Sequence, residues 1–249
     1  MIVLKSKDEI QRIAEACRIA AETLQGIKEK VAPGVTTLEL DRFAESYITS
    51  RKAVPAFKGY RGYPASLCTS VNEQVVHGIP DSGTKLKNGD IISLDVGVFY
   101  NGFYGDSALT LPVGTIRSQT RKLLAVAEEA LDRGIETAVV GNRLSDISFA
   151  IQHLVESAGF SVVRNFVGHG IGRNLHEEPQ IPNFGKKGEG VSLMEGMTLA
   201  IEPMVNAGGW EVDILDDGWT AVTRDRSLSA HFEHTVAVTS DGPKTLTKL

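Results

Sequence analysis

Apolar residues recur at helical spacing through Ile10, Ile13, Ala14, Cys17, Ala20, Ala21 and Leu24, and Pro33-Gly34 ends the run. Ser6 followed by Glu9 is a capping-box signature that predicts where this helix starts. Thr36 and Glu39 repeat it ahead of a second apolar face of Leu40, Phe43, Ala44, Tyr47 and Ile48. A turn-rich stretch over 57–64 leads to a short strand over 67–71. Two strands, over 91–100 and 103–111, flank Asn101-Gly102, a dipeptide that strongly favours a two-residue hairpin turn. Helices over 123–135 and 144–158 follow, then strands over 198–205 and 231–239.

The second series echoes the first. A shift of 107 residues carries Ala20, Glu22 and Leu24 onto Ala127, Glu129 and Leu131, and Gly34 onto Gly141. The same shift carries Glu39 onto Asp146 and the Leu94-Asp95 step onto Ile201-Glu202. The pattern predicts one α+β domain over 1–249, built of related halves of roughly 1–112 and 113–249. Helices lie outside an antiparallel-rich sheet, with pseudo-twofold symmetry.

Charge narrows the function. With 26 Lys and Arg against 31 Asp and Glu, a net charge of −5 and no basic run, a phosphate-driven nucleic-acid binder is excluded. No stretch reads as a signal peptide or a membrane span. Cys17 and Cys68, in no zinc-finger spacing, read as reduced thiols, which points to the cytosol.

The acids are in the wrong places for a greasy sheet. If Tyr100 pairs with Phe103, Asp95 stands opposite Ala108 and Asp106 opposite Gly97, so the two carboxylates are diagonal neighbours on one face. Glu202 interrupts Leu-Ala-Ile-Glu-Pro-Met-Val, and Glu233 lies in His-Phe-Glu-His-Thr-Val. A lone strand acid is usually an edge or turn residue. Recurrence, and the match of Asp95 to Glu202 under the repeat, argue otherwise. Four such carboxylates in a core repel one another, and no Lys or Arg closely flanks them. Two divalent cations, held by these acids and one histidine, are the economical remedy.

His77 and His169 stand beside glycines in apolar settings, and His176 follows seven residues after His169. That context suits ligand and proton-handling groups. His153, His231 and His234 lack it, and His234, alternating with Glu233, should face away from the acids. There is no Gly-x-Ser-x-Gly elbow, Walker loop or His-Glu-x-x-His helix, and the glycines at 168, 170 and 172 do not make a dinucleotide loop.

Asp95, Asp106, His169, Glu202 and Glu233, with Leu-Asp-Val-Gly, Gly-His-Gly-Ile-Gly-Arg, His-Glu-Glu-Pro, Ile-Glu-Pro and Ser-Ala-His-Phe-Glu-His-Thr around them, resemble the methionine aminopeptidases in their short bacterial-type (type I) form. The resemblance spans essentially the whole chain. It implies the pita-bread fold and a dinuclear site, with Asp95, Asp106 and Glu233 on one cation and Asp106, His169, Glu202 and Glu233 on the other. Cobalt, manganese, iron and zinc all suit that donor set. The implied activity is removal of the N-terminal methionine from nascent proteins with a small second residue, by attack of a metal-bridging hydroxide. Glu202 would shuttle the proton, His77 would bond the reacting amide, and His176 would stabilise the tetrahedral intermediate. Tyr60, Tyr63, Cys68, Leu175 and Trp219 match the methionine pocket. The family commonly has Phe where Leu175 stands, a loss of packing worth about 1 kcal/mol. Asn72, Gln74 and Ser229 match a monovalent-cation site. A monomeric cytoplasmic enzyme in transient contact with the ribosome is expected. Proline-specific relatives usually carry a large extra N-terminal domain. A non-catalytic binding protein, or a metal-free creatinase-like enzyme, would lack the complete ligand set.

Overall fold

Ser6 and Glu9 exchange the expected pair of hydrogen bonds, Glu9 N–H to Ser6 Oγ at 3.2 Å and Ser6 N–H to Glu9 Oε2 at 2.9 Å. Helix α1 (Lys7–Lys28) starts there. Thr36 and Glu39 start α2 (Thr37–Ser50) in the same way. Helix α3 (Ser118–Glu136) begins five residues before its apolar pattern does, because its first turn is mostly exposed and polar. Helix α4 covers Leu144–Ser157. The computed structural model describes residues 2–249.

The helices flank a curled nine-stranded sheet whose pairs all run antiparallel. Its central order is Ile91–Tyr100, Phe103–Pro112, Glu233–Thr239, Thr198–Ile201, Val167–Gly170 and Glu177–Pro182. One apolar cluster joins α1 and α2 to the hairpin through Leu24, Ile48, Ile92 and Leu94. A second joins α3 and α4 to the later strands through Leu131, Ile151, Leu199 and Val236. Gly105 lets α1 close on the hairpin, since a Cβ there would lie 2.5 Å from Cys17 N. The two groups of strands meet at a narrow seam of two registered pairs, Glu233 with Ala108 and His234 with Ser107.

The internal repeat is visible in the backbone. Helix α2 and α4 bounds differ by the same 107 residues at both ends. The isolated bridges Thr36–Lys85 and Arg143–Ser192 obey that shift. So do the bonds from Gly34 N–H to the Leu86 carbonyl and from Gly141 N–H to the Leu193 carbonyl. This is the pseudo-twofold pita-bread fold.

Two predicted strands are each broken in two. The stretch 198–205 splits into Thr198–Ile201 and Met204–Asn206, and 231–239 splits at Phe232, giving Ser229–His231 and Glu233–Thr239. In both cases the chain switches between the large sheet and a three-stranded one, out of the large sheet at the first break and into it at the second, and Pro203, with no N–H to donate, sits at the first. Among the described residues no helix is long and apolar enough to cross a membrane.

Candidate metal centre

Ala108 is the key to the site. It pairs with Asp95 on one side and with Glu233 on the other, and Asp106 lies two residues before it and opposite Gly97. Directly paired residues point to the same side of a sheet, as do residues two apart, so these three carboxylates share a face. Thr235 pairs with Ala200, and Ala200 with His169, which brings His169 and Glu202 to the same face. Small side chains at Ala108, Ala200 and Gly97 leave room above the sheet. At Gly97 a Cβ would strike Phe57 at 2.5 Å.

Asp106, His169 and Glu233 each offer a ligand atom, and these atoms lie within 4.8 Å of one another. His169 Nδ1 donates to the Gly170 carbonyl at 2.9 Å, which aims Nε2 inward. That nitrogen is 3.6 Å from Glu202 Oε1 and 4.0 Å from Asp106 Oδ2. Asp95 Oδ1, Asp106 Oδ1, Glu233 Oε1 and His231 Nε2 are buried without a hydrogen-bond partner.

Burial sets the electrostatics. It raises Asp95 to about 7 and Glu202 to about 8. Asp106 and Glu233 are pushed far above the carboxylate range by burial and by neighbouring acids. It also holds His169 neutral, down to about 3. Orphaned carboxylate oxygens around one inward-aimed neutral imidazole are what a divalent cation requires, so the residues fit such ions.

Asp95, Asp106, His169, Glu202 and Glu233 all line one cavity of about 150 Å³, together with His77 and His176. Its apolar wall contains Tyr60, Tyr63, Cys68, Leu175 and Trp219. Tyr63 and Trp219 meet edge to face at 5.2 Å, and Cys68 pairs with Asp95 across the sheet, which couples wall to floor. Both cysteines are free. His77 takes a left-handed φ of 61° and packs edge-on against Phe166 at 5.4 Å. Burial lowers it to about 4. His176 Nδ1 lies 2.9 Å from the Tyr60 hydroxyl, and its ring is 4.2 Å from that of His169. The next residue, Glu177, pairs with Lys5 out of solvent and accepts from Asn174 N–H at 3.1 Å, which closes the turn carrying His176. His234 faces away, as predicted, bonded to Thr247 Oγ1 at 2.8 Å.

Sequence reasoning missed Phe57, Arg61, Phe166 and His231. Arg61, with φ 50°, sits between Gly59 and Gly62 in the turn that delivers Tyr60 and Tyr63. That glycine spacing was the available signal. His231 Nε2 lies 3.4 Å from Glu202 Oε2, beyond the strand break that the apolar pattern does not reveal. Asn72 and Ser229 adjoin, with Ser229 N–H donating to the Asn72 carbonyl at 2.9 Å. Asn72 Oδ1 accepts from Ile91 N–H and Gln74 Oε1 from Val71 N–H.

A sequence model of metallopeptidase family M24 matches residues 11–240. The methionine aminopeptidase of Clostridium perfringens is 58% identical, over 99% of both chains. Methionine aminopeptidase 1 of Bacillus subtilis is 52% identical over 100% of both. The crystal structure of methionine aminopeptidase from Thermotoga maritima superposes with a TM-score of 0.99 at 47% identity, covering 100% of both chains. With the acid-lined cavity and the repeated fold, these likenesses have one meaning: the chain belongs to metallopeptidase family M24, among the type I methionine aminopeptidases.

Proposed function

We propose that this chain removes the N-terminal methionine from nascent polypeptides with a small second residue, using two divalent cations. The observation that carries the reading is a cavity in which a carboxylate floor meets an apolar wall. Its volume of about 150 Å³ suits one benzene-sized group, which is the scale of a methionine side chain.

Asp95, Asp106 and Glu233 would hold one cation, and Asp106, His169, Glu202 and Glu233 the other. Bound there, the cations supply charge that polarises the scissile carbonyl and makes water more acidic. The remaining work falls to side chains. Glu202 takes the proton released as water adds to the carbonyl and passes it to the departing amine. His176, whose Nδ1 is engaged by Tyr60, offers Nε2 to the oxygen that gains charge. His77, neutral at pH 7, hydrogen-bonds the reacting amide. The substrate's α-amine lies at the Asp95 end, which makes the enzyme an exopeptidase.

Tyr60, Tyr63, Cys68, Leu175 and Trp219 exclude water from the methionine side chain. Asn72, Gln74 and Ser229 are assigned to a monovalent cation. The reading extends to one catalytic domain over 1–249, a monomer in the cytoplasm, meeting its substrates at the ribosome. Cobalt, manganese, iron or zinc would serve.

The test is release of the first residue from Met-Ala-Ser, Ala-Ala-Ser and Ala-Pro-Ser, after chelation and after adding back Mn(II), Co(II) or Fe(II). Metal-restored release from the first peptide alone is expected. Cleavage of Ala-Pro-Ser would move the chain to the proline-specific enzymes, and silence on all three despite bound metal would make it a binding protein.

A further inference from the structure

His231 ends the Ser229–His231 strand and is 1% exposed. One hydroxyl fixes its backbone on both sides. Its N–H donates to Thr110 Oγ1 at 2.9 Å, and that hydroxyl donates to the His231 carbonyl at 2.8 Å. Its Nε2 has no hydrogen-bond partner and stands 3.4 Å from Glu202 Oε2. The other oxygen of Glu202 is 3.6 Å from His169 Nε2. The carboxylate therefore lies between two imidazoles, one facing each oxygen.

Glu202 needs such a hold. It lies just past the Thr198–Ile201 strand and just before Pro203, so the ladder does not continue through it. Asn183 Nδ2 donates to its backbone carbonyl at 3.0 Å, which secures the main chain but leaves the side chain its own torsions. A carboxylate that must both hold a cation and carry a proton has to present a chosen oxygen to each task.

We propose that His231 is a positioning residue for Glu202, its Nε2–H holding Oε2 so that Oε1 turns toward the cation it shares with His169. This rests on the metallopeptidase reading and adds a residue to it. The 3.4 Å separation is slightly longer than an ordinary N–H···O bond. Of the two ring nitrogens of His231, Nε2 is the one that meets an acceptor.

The test is titration of Co(II) into chelator-stripped protein, reading affinity and visible absorption for the parent, His231→Gln and His231→Met. Gln and Met are near in length and flexibility, but only Gln carries a donor. Partners that orient a ligating carboxylate change metal affinity 10–100-fold. His231→Met is thus expected to raise Kd by about 10-fold or more, and His231→Gln to stay within about threefold of the parent. The Co(II) bands should hold their positions throughout, since no ligand is exchanged. Parent-like affinity in His231→Met overturns the proposal. So does equal weakening in both variants, or a Co(II) spectrum shifted in His231→Gln, which would make the imidazole itself a ligand. A parent that binds no Co(II) fails the metallopeptidase reading instead. Each chain is first melted in chelator, and His231→Leu replaces the methionine variant if that one does not fold.

Discussion

The hairpin and the later strands contribute to one centre by different means. Asp95 and Asp106 sit inside an unbroken ladder of ten registered pairs from Ile91–Pro112 to Tyr100–Phe103. Their partners across the cavity sit where ladders fail. Glu202 is just past a strand end, Glu233 starts a strand after a break, and His169 stands at a register shift. A regular ladder gives a rigid floor whose side chains have one direction. A broken ladder lets the chain change sheets and re-aim a side chain, at the cost of needing other groups to hold it. The first region should therefore tolerate no change of charge pattern, while the second depends on its supports.

The sharpest way to break this contrast is to neutralise one acid on each side. Asp106, assigned to both cations, should cost about 10³-fold or more in kcat/KM as Asp106→Asn, or some 4 kcal/mol. Glu202→Gln, assigned to one cation, should cost closer to 10²-fold. Equal losses in steady-state kinetics would remove the distinction. In chelator, Asp106→Asn should melt above the parent by about 2 °C or more, because a buried carboxyl that must take up a proton on folding has gone. His176→Ala is expected to lower kcat by about 10²-fold with KM little changed.

A subtler contrast lies in pH. The folded chain without cations keeps Asp95 protonated to about 7 and Glu202 to about 8, whereas the unfolded chain releases those protons near pH 4. Both groups therefore favour folding fully below about pH 4, and that contribution is lost as pH rises through 7 and 8. Calorimetric melting of chelated protein should fall between pH 5 and 8, while saturating divalent cation should flatten or reverse the trend. A chelated protein that grows more stable over that range would mean that the carboxylates are neutralised by something other than a cation. The smallest effect is expected at the wall. Leu175→Phe should restore about 1 kcal/mol of packing and lower KM for methionyl peptides roughly fivefold.

What could be read from the chain follows the same division. The hairpin register, with Asp95 against Ala108 and Asp106 against Gly97, was legible because Asn-Gly fixes the turn and alternation fixes the faces. The capping boxes at Ser6 and Thr36 were legible because they are local. The breaks at Pro203 and Phe232 were not, since Met204 and His231 continue the apolar run while pairing with each other in a different sheet. That is why His231 went unassigned although it lies two residues from Glu233. Phe166 and Arg61 were hidden for a related reason: each reaches the site from a loop, where no periodicity reports direction.

The seam between the two groups of strands gives the centre a mechanical meaning. Only two registered backbone pairs cross it, backed by the Thr235–Asp106, Ser107–Glu233 and Thr110–His231 side-chain bonds. Asp106 and Glu233 stand on opposite sides of that line. A cation held by both carboxylates, as proposed above, would add a tie across that line beside the backbone pairs. Filling the site would then brace the sheet as well as arm the enzyme.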